Sequence, residues 1–289
     1  MRSELHRWRL VALAGGVFSL WVAVGSPLAQ MDHHLLIAHM AQHLLLMTIA
    51  APLILAGIPA IAVWLGLNRL RAFGTIVTHP VFCWLAGTAT VIGWHIPALF
   101  ETGMRSAGWH EVEHACFFVA GLLFWWPVIR PLPIQSRWPG WSIPLYLFLA
   151  TLPCDALSAF LTFCGRVVYP HYLSSHRLFD ISPLEDQEFA GALMWVWATF
   201  AYLVPAAVVT IQMLSPQRRP LDAESVGIVP SVVGVPVPMV ERPVVLAVAT
   251  LFRMLVLLAV PAMLLRAWVL LARAAALLLA WVLLARACE

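Results

Sequence analysis

Residues 35–65 read LLIAHMAQHLLLMTIAAPLILAGIPAIAVWL, without one Asp, Glu, Lys or Arg. A helix needs about 20 largely apolar residues to cross a bilayer, so this stretch is a membrane span with length to spare. Its length and its Pro52 and Pro59 predict a tilt or a kink near Pro52. Its titratable side chains, His39 and His43, are spaced i,i+4 and therefore share one helix face, which Met47 continues. Ionisable groups inside spans are costly and ordinarily face a cavity or a partner.

Outward from that stretch the pattern repeats. Five further segments qualify as spans: roughly Leu10–Leu28, Pro80–Leu99, Val112–Ile129, Ile143–Phe163 and Phe189–Met213. The whole chain agrees, with 62% hydrophobic and 11% charged residues and a mean hydropathy of +0.88. Soluble domains carry about 25% charged residues, so a water-soluble enzyme and a disordered chain are both excluded. The expected fold class is all-α, a polytopic membrane helical bundle of about seven transmembrane helices. Residues 1–213 form the bundle with six spans, and 214–243, rich in Pro and Val, a cytoplasmic linker. Residues 244–289 hold a seventh span, Val244–Leu265, and a low-complexity apolar tail in which WVLLARA occurs at 268–274 and 281–287. The tail could span again over Ala267–Ala285. The net charge of +3 is thinly spread, with no basic block suited to nucleic acid, and the five cysteines form no CxxC pair.

Arginines in short loops set the orientation. One set of loops carries Arg2, Arg7, Arg9, Arg69, Arg71, Arg130, Arg137, Arg218, Arg219 and Arg242, and the opposite set only Arg105, Arg166 and Arg177. The first set is read as cytoplasmic, with the N-terminus inside a bacterial inner (plasma) membrane. The first segment also resembles a signal peptide ending near Ser26–Gln30, which leaves the downstream orientation unchanged.

With this topology the histidines sort to one side. His33, His34, His39, His43, His95, His110, His114, His171 and His176 fall in the outer half, and His6 and His79 in the inner half. His110 and His114 repeat the i,i+4 spacing with Glu113 beside them, and His95 ends a third helix at the same depth. A single His at a helix end is ordinarily an interface residue; two pairs and a fifth histidine on one face are a candidate metal site. Imidazoles with nearby thioethers suit copper, and Glu113 could orient an imidazole. Haem is the rival ligand, since facing histidines also hold haem in membrane cytochromes; its ligands are expected nearer mid-membrane. His33 and His34 are weak candidates that could simply be solvated. Met31, Met40 and Met104 read as packing, and Trp125, Trp126, Trp138 and Trp141 as interfacial belts. Asp155, at mid-span, either lines the histidine cavity or bonds a neighbouring helix. Cys116 and Cys164 rank below the histidines.

Ordered blocks over residues 33–213 carry a family resemblance. They are HMAQHLLLM (39–47) with Ala51-Pro-Leu and Gly57-Ile-Pro59; Trp94-His95-Ile-Pro97, HEVEH (110–114) and Phe124-Trp-Trp-Pro127; Leu161-Thr162 with Tyr169-Pro-His-Tyr172; and Ser182-Pro-Leu-Glu-Asp186-Gln187 with Ala190-Gly191 and Met194-Trp195. Together they resemble the CtaG family of cytochrome c oxidase assembly factors of the caa(3)-oxidase type. The resemblance implies an integral membrane assembly factor for haem–copper oxidases, not an enzyme, with a role in supplying copper. It places the family's motif histidines at His39, His43, His95, His110 and His114 and its acid–amide pair at Asp186 and Gln187; Met47, Glu113, Asp155 and Met194 are read beside them as supporting residues. The resemblance implies an oxidase subunit as partner during assembly, and the outer position of the histidines adds a periplasmic copper carrier, in a lipid membrane. The alternatives are a haem-binding electron carrier of cytochrome b type and, last, a copper permease, for which the inner halves of the spans hold few ligands.

Overall fold

The computed structural model describes residues 2–65, 79–130, 138–175 and 179–214. The expected linker beyond residue 214, the seventh span, the apolar tail and His176 lie outside the described residues. The described chain is all helical: α1 (Arg2–Gly25), α2 (Leu28–Met31), α3 (Leu36–Leu44), a π-helical stretch (Leu45–Ala50), α4 (Ala51–Leu65), α5 (Pro80–Trp94), α6 (Pro97–Arg105), α7 (Ala107–Ile129), α8 (Ser142–Phe163), α9 (His171–Ser174) and α10 (Pro183–Leu214). Among these residues five helical spans are long and apolar enough to cross a membrane, and α5 with α6 makes a sixth if the bent pair counts as one. Large apolar side chains such as Phe18, Leu85, Val119, Leu152, Phe160 and Phe200 lie exposed on the sides of these helices, the surface that a bilayer solvates.

The span that decides the fold sits at its centre. Leu36–Ile58 is mostly buried, unlike the spans around it. The sequence predicts a tilt or a kink near Pro52; the structure has instead a π-helical stretch that ends at Ala50, and Leu36–Ile58 continues as one span. Proline lacks the N–H that would reach residue 48, and its ring crowds that carbonyl. The hydrogen-bond ladder widens there. The stretch is held from other helices: Trp125 Nε1 on α7 donates to the Met47 carbonyl at 3.0 Å, and Trp197 Nε1 on α10 donates to Thr48 Oγ1 at 2.7 Å. Trp125 is therefore wholly buried and belongs to the core, not to the interfacial belt that its sequence neighbours suggest. Gly121 on α7 lets the backbones meet, because a Cβ there would lie 2.8 Å from the Met47 carbonyl oxygen.

On its other side the span meets α1 through small residues, a common device where lipid supplies no drive to associate. A Cβ on Gly16 would lie 2.9 Å from the Ile54 amide nitrogen, and one on Gly57 would lie 2.6 Å from Leu13 Cβ. Gln42 Nε2 donates to the Ala23 carbonyl at 2.8 Å. One face of the first segment thus packs against the central span.

The third expected span, Pro80–Leu99, is shorter than its sequence suggests. It ends at Trp94, and α6 leaves it at 74°. The residue before a proline is driven out of the helical region, and Ile96, preceding Pro97, is extended. His95 sits at that corner. The last span starts earlier than residue 189, at Pro183, so Asp186 and Gln187 lie on the helix itself.

Candidate metal centre

Two helices bring the histidine pairs face to face. His39 and His43 project from α3 and His110 and His114 from the first turns of α7. Ring centroids are 4.3 Å apart within each pair, 5.4 Å between His39 and His110, which stack, and 5.7 Å between His43 and His114. Glu113 inserts between the helices, its Oε1 3.4 Å from His39 Nε2 and 3.5 Å from His43 Nε2. Its other oxygen fits against α6 because residue 103 is glycine; a Cβ there would be 2.7 Å from Oε2. His39, His43 and Glu113 offer three ligand atoms within 4.8 Å of one another, all buried.

The hydrogen bonding of this group is incomplete. The close approaches are too long or poorly aligned to be hydrogen bonds. Both ring nitrogens of His39 and His43, both Glu113 oxygens, and Nε2 of His95, His110 and His114 are buried without a partner. Leaving one such group unsatisfied costs about 1–3 kcal/mol. Imidazole nitrogens and carboxylate oxygens gathered in this way are a donor set that one cation could satisfy together.

His95 joins from the corner after α5. Its Nδ1 is 2.7 Å from the Val91 carbonyl, which fixes the tautomer with Nδ1 protonated and leaves Nε2 as the acceptor. A cavity of about 30 Å³ lies beside it, lined by Met40, His43, Met47, His95, Cys154 and Met194 among others. Met47 and Met194 thus border the same space as His43 and His95. Met40, read as packing, also lines the cavity. Cys154 lines it where the neighbouring Asp155 does not; one residue of helix turns the side chain by about 100°.

Asp186 and Gln187 are braces, not members of the cluster. Asp186 accepts from the Leu36 amide at 2.6 Å and the Ile37 amide at 3.1 Å. These are free N–H groups at the start of α3, and a carboxylate is favoured there by hydrogen bonding and by the helix dipole. Gln187 accepts from the Val168 amide at 2.7 Å and donates to the Leu161 and Arg166 carbonyls at 3.2 and 3.0 Å. The first brace holds the histidine helix and the second the loop that covers it. That loop packs Tyr169 and Tyr172 against Phe100, Leu36 and Met40. Tyr169 donates to the His95 carbonyl at 3.2 Å and Tyr172 to the Asp32 carbonyl at 2.8 Å. Burial pushes both phenols above their ordinary range, so they remain donors.

Sequence reasoning passed over Asp32. It is buried, and its carboxylate lies 3.6 Å from His110 Nε2 and 3.9 Å from His33 Nε2. The available signal was an acid next to a histidine pair just ahead of the central span.

The cytochrome c oxidase caa3 assembly factor family model matches residues 1–215. The chain belongs to that family. No curated protein and no solved structure matches it. The match covers all of the helices described above, so this CtaG-family chain is a multi-pass membrane protein that acts with cytochrome c oxidase during its assembly. The family is one of assembly factors and does not favour an electron carrier of cytochrome b type.

Proposed function

We propose that the chain holds copper at His39, His43 and Glu113, with His95, His110 and His114 adjoining, and passes it to the oxidase under assembly. One observation carries this reading: a buried set of imidazoles and one carboxylate left without hydrogen-bond partners. The adjoining methionines add soft sulfur donors that favour Cu(I), while imidazole accepts either oxidation state. The neighbouring space of about 30 Å³ suits an ion or a water, whereas ligands of larger size occupy several hundred cubic ångströms. A delivery site must release its cargo, and a histidine and methionine site without a thiolate cluster suits transfer better than storage.

The arginine asymmetry supports placing this end of the bundle on the periplasmic face of a bacterial plasma membrane, with the N-terminus inside. A periplasmic copper carrier could reach it there. Cells lacking the protein are expected to make the oxidase polypeptides but to assemble a copper-poor, inactive enzyme whose haem content is far less affected. The measurement is copper per haem in oxidase purified from a deletion strain, with and without added copper. A normal ratio with normal turnover would sink the delivery reading.

A further inference from the structure

The buried site does not use every metal-binding group at this end of the bundle. Asp32, His33 and His110 place one ligand atom each within 4.8 Å of one another. They come from two separate elements, the turn after α2 and the first turn of α7. Asp32 is fixed in place: its backbone carbonyl accepts from Tyr172, and its Oδ1 accepts from the His33 amide at 2.6 Å. His110 is more than nine-tenths buried, and its Nε2, though aimed at the Asp32 carboxylate from 3.6 Å, has no hydrogen-bond partner. His33 is different, with 44% of its side chain exposed. His171 stands beside it, its ring 6.1 Å from that of His33 and its Nε2 3.1 Å from the His33 carbonyl oxygen.

We propose that Asp32, His33 and His110 form a second metal site, shallower than the first, for a divalent transition-metal cation. Two imidazoles and a carboxylate suit such ions, and the donor set lacks the thioethers that would turn it toward Cu(I). It deepens the copper reading and rests on it for the identity of the ion. The two sites are neighbours: ring centroids run 5.1 Å from His33 to His110 and 5.4 Å from His110 to His39. Exposure falls along the same path, from His33 through His110 to His39, which is fully buried. His110 is the step between them, and a cation leaving the aqueous face meets the shallow ligands before the deep ones.

The test is equilibrium dialysis of the detergent-purified full chain against Cu(II), counting metal per chain, with the wild type, His33→Ala, Asp32→Asn and Glu113→Gln in parallel. The wild type is expected to take up two ions. His33→Ala and Asp32→Asn should each keep one, the buried ion, and Glu113→Gln should keep the shallow one. The partly exposed His33 side chain can be removed without emptying the core, and a wild-type gel-filtration profile checks this. If His33→Ala and Asp32→Asn both retain as many ions as the wild type, the shallow site is overturned and the buried site stands. If only Glu113→Gln is without effect, the buried-site reading falls and the shallow site stands. A wild type that takes up no Cu(II) overturns the shallow site.

Discussion

Asp186 shows how much a residue outside the cluster can decide. Its carboxylate closes the start of the helix that carries His39 and His43, bonding two amides that have no partner within their own helix. Asn in its place keeps the shape but loses the charge, and one of its two head atoms donates where both carboxylate oxygens accept. Asp186→Asn is expected to cost about 1–3 kcal/mol and to lower the thermal midpoint of the purified protein, with metal binding weakened in step. A variant as stable as the wild type that binds copper normally would show the brace to be dispensable. At this scale the sequence is half legible. Spacing alone pairs His39 with His43 and His110 with His114, because i,i+4 needs only one helix. The contact between His110 and Asp32 joins separate elements far apart in the chain, and periodicity carries no trace of it.

Among the elements, the π-helical stretch and α7 are tightly fitted to each other. Gly121 lies so close that an added methyl group would meet the Met47 carbonyl oxygen, Met47 Cα and Ala51 Cβ, all within 2.9 Å. Those are backbone or backbone-near atoms and cannot swing aside. Gly121→Ala is therefore expected to push α7 from the central span, at a cost of about 1–3 kcal/mol for overpacking. Gly108→Ala serves as the control, since its Cβ would meet nothing nearer than 3.9 Å. Thermal unfolding of both variants in detergent checks this; equal midpoints would contradict the close fit. Helix existence was readable from apolar length at every described span. The ends were not: a proline at 97 marks a boundary, but only the surrounding packing makes the chain turn by 74° there. Trp125 likewise looks like its neighbours in sequence and is separated from them by the face on which it falls.

For the whole molecule the quantity to measure is which end faces out. The described helices alternate so that His39, His95, His110, Tyr169 and Asp186 gather at one end, and in the sequence the loops assigned to the opposite side carry ten arginines against three. In a cysteine-free background, a thiol introduced at Ser174, beside the covering loop, is expected to react in intact cells with an impermeant reagent. One at Ser225 should not, and labelling of Ser225→Cys with protection of Ser174→Cys would reverse the topology. Fold class was plain from composition because the bilayer imposes one backbone solution on long apolar segments. The function was not: nothing in hydropathy says what the buried histidines are for.

The π-helical stretch has one more consequence. An unbroken α-helix advances about 100° with each residue, so its two ends are geared together, and turning one face turns the other. A wider turn at residues 45–50 slips that gear. The half of the span that meets α1 through Gly57 and Ile54 keeps one phase, and the half that presents His39 and His43 keeps another. One continuous rod thereby presents His39 and His43 at an angle that its Gly57 end does not dictate.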